Sequence, residues 1–118
     1  MLTDGGRLAA HFLDLASLAQ RVTANNIANV DTPGYRTRGF EFRAEFRRFL
    51  DNPKLPPQPA PRVEKLGGLP VKNDGNDVQI ERELRNLGDN AIRFQHALLM
   101  LRGSIRSIRS AIQEGGRG

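Results

Sequence analysis

Asn25-Asn26-Ile27-Ala28-Asn29-Val30-Asp31-Thr32-Pro33-Gly34-Tyr35 places three asparagines within five residues directly before a Thr-Pro-Gly-Tyr turn. The run is too polar for a plain core helix and too regular in residue type for a plain linker. Pro33 biases Thr32 away from helical dihedrals, so a helix arriving from the N-terminal side is expected to stop near Asn29 or Asp31. Pro33-Gly34 suits the two central positions of a type II turn, proline presetting the first and glycine tolerating positive φ at the second. Tyr35 follows with its ring free to pack. The stretch reads as a joint that ends one element and redirects the chain.

Working backwards, residues 4 to about 29 read as a helix. Leu8, Phe12, Leu15, Ala19 and Val22 step by 4, 3, 4 and 3, a heptad seam. Its next two positions are Asn26 and Asn29, polar residues that fix register through hydrogen bonds at some loss of stability. Ala9, Leu13 and Ala16 widen the apolar face, and Gly5-Gly6 loosen the first turn, so ordering is expected from about Arg7.

Working forwards, residues 36–50 carry five Arg against two Glu, interleaved with Phe40, Phe42, Phe46 and Phe49. A short extended piece leading into a one- or two-turn helix is expected. Residues 51–76 hold six of the seven prolines, including Pro56-Pro57-Gln58-Pro59-Ala60-Pro61, a polyproline-like run. Val63 to Val71 suit a short extended or hairpin piece around Gly67-Gly68, and Asn73-Asp74-Gly75-Asn76 is a turn signal. A second helix is expected from Asp77, capped by Asn76 with Gln79 or by Asp77 alone. Leu84, Leu87, Ala91, Phe94, Leu98, Leu101, Ile105, Ile108 and Ile112 alternate steps of 3 and 4 without a break, a seam roughly 42 Å long at 1.5 Å per residue. Gly88 and Gly103 weaken a helix and point to close helix approach.

The fold class is therefore all-α: two long terminal heptad helices in a coiled-coil-like pair, joined by an irregular proline-rich middle. The expected divisions are 1–35, 36–76 and 77–118. Two helices bury only part of such seams, so the surplus apolar surface predicts self-association or docking into a larger helical assembly.

The chain has 118 residues, 38% of them hydrophobic and 26% charged, with net charge +5. The excess sits in 36–50 and in 84–118, raising the prior for an anionic partner. There is no cysteine, which excludes disulfides, thiolate zinc sites and a cysteine nucleophile. Met1 to Ala10 lack the pattern of a cleaved secretory signal, and no stretch reaches the ~18 apolar residues of a membrane span. His11 and His96 stand alone beside apolar residues and suit packing better than catalysis. No zinc-protease, P-loop or dinucleotide motif occurs. A calcium loop with Gly75 sixth and Glu81 twelfth would put Pro70 and Lys72 at ligand positions, so it fails. Glu81 and Glu83 fit the helix dipole. No enzyme, cofactor, metal or small-molecule site is expected. The Arg/Phe segment 36–50 is the best case for nucleic-acid binding, although its phenylalanines more simply anchor a short element to the helices.

Asn25 to Arg36, together with Asp74-Gly75-Asn76-Asp77-Val78 and the C-terminal heptads, resembles the flagellar basal-body rod protein family, whose N-terminal signature the first stretch matches almost throughout. Within it, the short length and Glu81-Arg82-Glu83 resemble the proximal-rod type. The likeness covers about 1–45 and 73–114. It implies a non-enzymatic axial protein whose terminal helices form the coiled-coil inner layer of a helical tube, with the middle outside. It implies export by the flagellar type III apparatus without a cleaved signal, through a determinant near Phe12 to Ala16, and residence in the periplasmic rod of the basal body. The implied partners are other rod subunits and export-gate and MS-ring junction proteins, in homo- and hetero-assembly, with no nucleic acid. On this reading the joint is Asn25, Asn26, Ile27, Ala28, Asn29, Asp31, Thr32, Pro33, Gly34 and Tyr35. The assembly seam is Leu8, Phe12, Leu15, Val22, Leu87, Phe94, Leu98, Leu101, Ile105 and Ile108, and the monomer is weakly helical until it meets rod neighbours. The rivals are a basic helical nucleic-acid-binding module and an autonomous coiled-coil adaptor.

Overall fold

A computed structural model of the chain describes residues 4–52 and 61–115. Three helices, α1 (Asp4–Ala28), α2 (Phe42–Asp51) and α3 (Ile80–Gly115), dominate it; strands β1 (Arg38–Gly39) and β2 (Glu64–Lys65) form one short antiparallel ladder. The all-α expectation holds. The run Pro56 to Ala60 and the tail beyond Gly115 lie outside the described residues. No described helix is long and apolar enough to cross a membrane.

α1 and α3 pack antiparallel: Asn26 bonds Glu83, while Asn90 of α3 donates to the Ala16 carbonyl ten residues further back along α1. The contact is close because most of the residues buried in it are small, Leu15, Asn26 and Glu83 apart. Gly6, Ala9, Ala16 and Thr23 are buried on α1, and Asn90, Ala97 and Ser104 on α3. Both sets recur largely at seven-residue intervals, so each helix turns a line of small side chains inward and larger ones flank it. Leu87, Phe94, Leu101 and Ile108 take the half-buried flank on α3.

This face differs from the one the periodicity suggests. The seam Leu84-Leu87-Ala91-Phe94 onward splits along its length. Positions 87, 94 and 101 border α1, and 108 is half-buried just past its end. Positions 84, 91, 98, 105 and 112, about 60° further round the helix, are exposed. The inward line is instead Glu83, Asn90, Ala97 and Ser104, which hydrophobicity alone passes over. Close approach also explains Ala97 better than it explains Gly88 and Gly103, where an added Cβ would meet nothing within 4 Å beyond its own helix backbone.

Helix ends differ as well. α1 spans the residues the sequence assigns to it, from Asp4, and its first turn is already helical ahead of Arg7, which pairs with Asp4. α3 starts at Ile80, with Gln79 accepting the first intrahelical bond from Glu83 N–H; Asn76 and Asp77 are not its caps. α2 runs three turns and lies against α1, its rings set edge-on to Phe12: Phe42 and Phe46 each stand 5.1 Å from it, and His11 stacks on Phe49 at 4.1 Å. Burial lowers the His11 pKa, partly opposed by Asp14 and Glu45. β2 pairs with β1, not with a hairpin partner near Gly67.

At 1.5 Å per residue α3 is about 54 Å long and α1 about 37 Å. Counting from Asn26 beside Glu83, α1 runs out near Ser104, and beyond it, among the described residues, Ile108 is half-buried and the others are exposed. The molecule is accordingly drawn out to 72 Å, with a radius of gyration of 18.6 Å against roughly 13 Å for a compact chain of about 100 residues.

Ala97→Leu should overpack the close line and cost about 1–3 kcal/mol, whereas Leu99→Ala at an exposed position should stay within about 0.5 kcal/mol; thermal melts followed by circular dichroism compare the two.

Candidate functional site: the Asn26 joint

α1 ends at Ala28 because the turn that follows offers its polar groups other partners. Asn29 N–H bonds the Asn25 and Asn26 carbonyls, Val30 N–H bonds Ile27, and Thr32 N–H bonds Asn29. Asn29 Nδ2 donates back to the Asn25 carbonyl at 2.7 Å, and its Oδ1 accepts from Thr32 Oγ1. Asn29 is thus a local cap of the helix end, not a seam residue. Tyr35 N–H closes onto the Thr32 carbonyl at 3.2 Å, and Gly34 has φ +74°, the geometry of a type II turn.

Asn26 does something else. Its side chain is 1% exposed. Nδ2 donates to the Arg38 carbonyl at 2.9 Å and to Glu83 Oε2 at 3.2 Å. Oδ1 accepts from Tyr35 Oη at 2.9 Å and from Arg38 N–H at 3.1 Å. All four hydrogen-bonding positions of the amide are filled. The pair of bonds to Arg38 mimics a strand partner, so β1 is held by β2 on one side and by an α1 side chain on the other. Glu83 is 0% exposed, and Arg82 Nη1 meets its other oxygen at 2.7 Å. A buried carboxylate needs that compensation. Desolvation raises the Tyr35 pKa above the usual phenol value; Arg38 pulls it down, and Glu83 and Asp77 add to the rise.

A second turn locks onto the first. Asn76, 0% exposed, donates from Nδ2 to the Asn29 and Thr32 carbonyls, each at 2.8 Å, and accepts from Val78 N–H. Asp77 accepts from Thr37 N–H and sits 3.8 Å from Arg36. Gly34 N–H bonds the Asp74 carbonyl at 2.9 Å. Gly75 has φ +85°, and a Cβ there would lie 3.3 Å from Gly34 Cα, so two glycine turns meet backbone to backbone.

The ten joint residues are therefore brought together unequally. Asn26 is the buried centre, Asn29, Gly34 and Tyr35 make the turn, and Asn25, Ala28, Asp31, Thr32 and Pro33 are exposed, with Ile27 half-buried. Sequence reasoning missed Asn76, Asp77, Glu83 and the Arg38 backbone, taking the first three as caps or dipole charges. Of the ten assembly-seam residues, Leu15 is buried; Leu8, Phe12, Val22, Leu87, Phe94, Leu101 and Ile108 are half-buried; Leu98 and Ile105 are exposed. Among the described residues no cluster of His, Asp and Glu is arranged to hold a metal.

Asn26→Ala should cost about 2–4 kcal/mol, because it leaves buried partners unpaired. Asn26→Asp should be as severe at neutral pH, where its carboxylate would face Glu83, and should recover as pH falls and the new acid is protonated; chemical denaturation at two pH values tests both. Gly75→Ala should cost about 1–2 kcal/mol for its left-handed backbone, while Gly67→Ala, in open space, should be neutral or slightly stabilising.

The profile described as Flagella basal body rod protein matches residues 13–36, which are the second half of α1 and the joint. Flagellar basal body rod protein FlgB of Escherichia coli K12 is 30% identical, over 92% of this chain and 93% of its own length. The protein of the same name from Borrelia hermsii is 37% identical over 70% of this chain and 76% of its own. That from Yersinia enterocolitica is 29% identical over 95% and 96%. A likeness of this extent spans the helix pair, the joint and the middle together, and the chain belongs to the flagellar basal body rod protein FlgB family.

Proposed function

We propose that the chain is a non-enzymatic subunit of the proximal part of the rod, built into the axial shaft of the flagellar motor through its terminal helices. The observation that carries this reading is the bare apolar line on α3. Leu84, Leu98, Ile105 and Ile112 recur at intervals of seven or fourteen and are 55%, 46%, 46% and 69% exposed in the single chain. Ile92 and Leu99, about a quarter-turn further round α3, are exposed as well. Burying one such side chain is worth about 1.5–3 kcal/mol, so a repeated line of them favours contact with further helices. α1 leaves the last three turns of α3 uncovered, which extends that line past the end of the pair.

On this reading the helix pair lies toward the shaft axis and the segment between β1 and β2 outside it. Copies of the chain and other rod subunits cover the bare line, with export-gate and MS-ring junction proteins at the base. Export through the flagellar type III apparatus, without a cleaved signal, suits a chain that has little core to unfold. The joint then serves as the rigid corner from which the outer segment departs. The α2 phenylalanines support this assignment over a nucleic-acid module, since their rings pack on Phe12 and His11.

Leu98→Asp should leave the isolated chain's helicity and melting within the range of a surface change, about 0.5 kcal/mol, and yet abolish motility. Leu101→Asp, at the half-buried flank, should damage both. Swarming assays with rod isolation separate the two, and normal motility with Leu98→Asp would count against the scheme.

A further inference from the structure

Two grooves meet along the first half of α2. One, of about 260 Å³, lies between α1, β1 and α3, with Arg38, Arg43, Arg82 and Arg93 around it. The other, of about 340 Å³, has a floor of Phe12, Phe42, Phe46 and Leu50. Arg43 and Arg93 border both, so a basic ridge divides a polar groove from an apolar one.

The charges around the first groove do not cancel. Four arginines face two carboxylates, Glu41 and Glu83, and Glu83 is already bonded by Arg82 and Asn26. Two of the cations are also held in place. The Arg93 guanidinium carbon lies 4.2 Å from the centre of the Phe42 ring. That contact uses its charge, not its N–H donors. Arg82 is fixed by Glu83. Preordered guanidinium groups lose less freedom when they pair with a carboxylate.

We propose that this double groove docks a segment of a partner chain carrying alternating apolar and acidic side chains, its apolar groups on the phenylalanine floor and its carboxylates on Arg43 and Arg93. Charge complementarity selects the acid. The state of the rings selects protein over nucleic acid. Arg93 covers the face of Phe42, and Phe42 and Phe46 each meet Phe12 edge-on, so the Phe42 face is taken where a base would stack. The groove shares no residue with the bare line Leu84, Leu98, Ile105 and Ile112, and its occupancy does not depend on that line.

The test titrates the full-length chain, by fluorescence anisotropy, into three labelled probes: a Leu-Glu repeat peptide of about 15 residues, its Leu-Gln counterpart, and a single-stranded oligonucleotide of about 20 nucleotides. Saturable binding to the acidic peptide, at least about tenfold tighter than to the glutamine peptide, is expected. Arg43→Gln with Arg93→Gln should weaken it about tenfold. Arg102→Gln with Arg106→Gln, the same charge change at the far end of α3, should leave it unchanged. Leu98→Asp should also leave it unchanged, so failure of shaft assembly and failure of the groove are told apart. No saturable binding, equal weakening by both arginine pairs, or a preference for the oligonucleotide would overturn the proposal.

Discussion

One buried amide holds the chain's separate parts in register. The Asn26 side chain bonds the backbone of β1, the phenol of Tyr35 and the carboxylate of Glu83, which together represent the end of α1, the strand after the turn and the start of α3. A hydrophobic side chain at that point would have more freedom to slide. An amide with four directional bonds has one fit, and any shift of α1 along α3 breaks several bonds at once. The small residues further along, Ala9, Ala16 and Ala97, bring the helices close but do little to fix their register. Packing supplies proximity, and Asn26, with the bond from Asn90 to the Ala16 carbonyl, supplies position.

The same division explains what was legible beforehand. The two long helices follow from seven-residue periodicity, and the stop after Ala28 and the Gly34 turn follow from proline and glycine chemistry, because those are local properties. Asn26 was identifiable as a polar position on a helical seam. Its partners were not, since Glu83 and Arg38 lie 57 and 12 residues away and nothing local pairs them. Asn76 and Asp77 were misread for a related reason: a polar pair before a helix resembles a cap, and only the tertiary fold shows that it bonds the earlier turn. The inward face of α3 was hidden because Glu83, Asn90 and Ser104 are polar. Periodicity finds the apolar line, which in the single chain is half turned away from α1.

That mismatch between the apolar line and the buried line belongs with the functional reading. A monomer that buried its best hydrophobic face would have little left to bind with. This chain covers its small and polar line internally and keeps larger aliphatic side chains such as Leu98 and Ile112 outside. The short core that results is consistent with a subunit whose order is completed by neighbours, and with the family to which the chain belongs.

The ladder between β1 and β2 has a consequence for how such a protein can vary. Gly39 pairs with Glu64, so the excursion between them is closed at its base, and within it α2 returns to pack on α1. Lengthening the part of that excursion that follows α2 costs only about 0.6 kcal/mol per doubling. That part can therefore change in length while α1, α2 and α3 keep their contacts, much as a handle can be exchanged on a fixed shank.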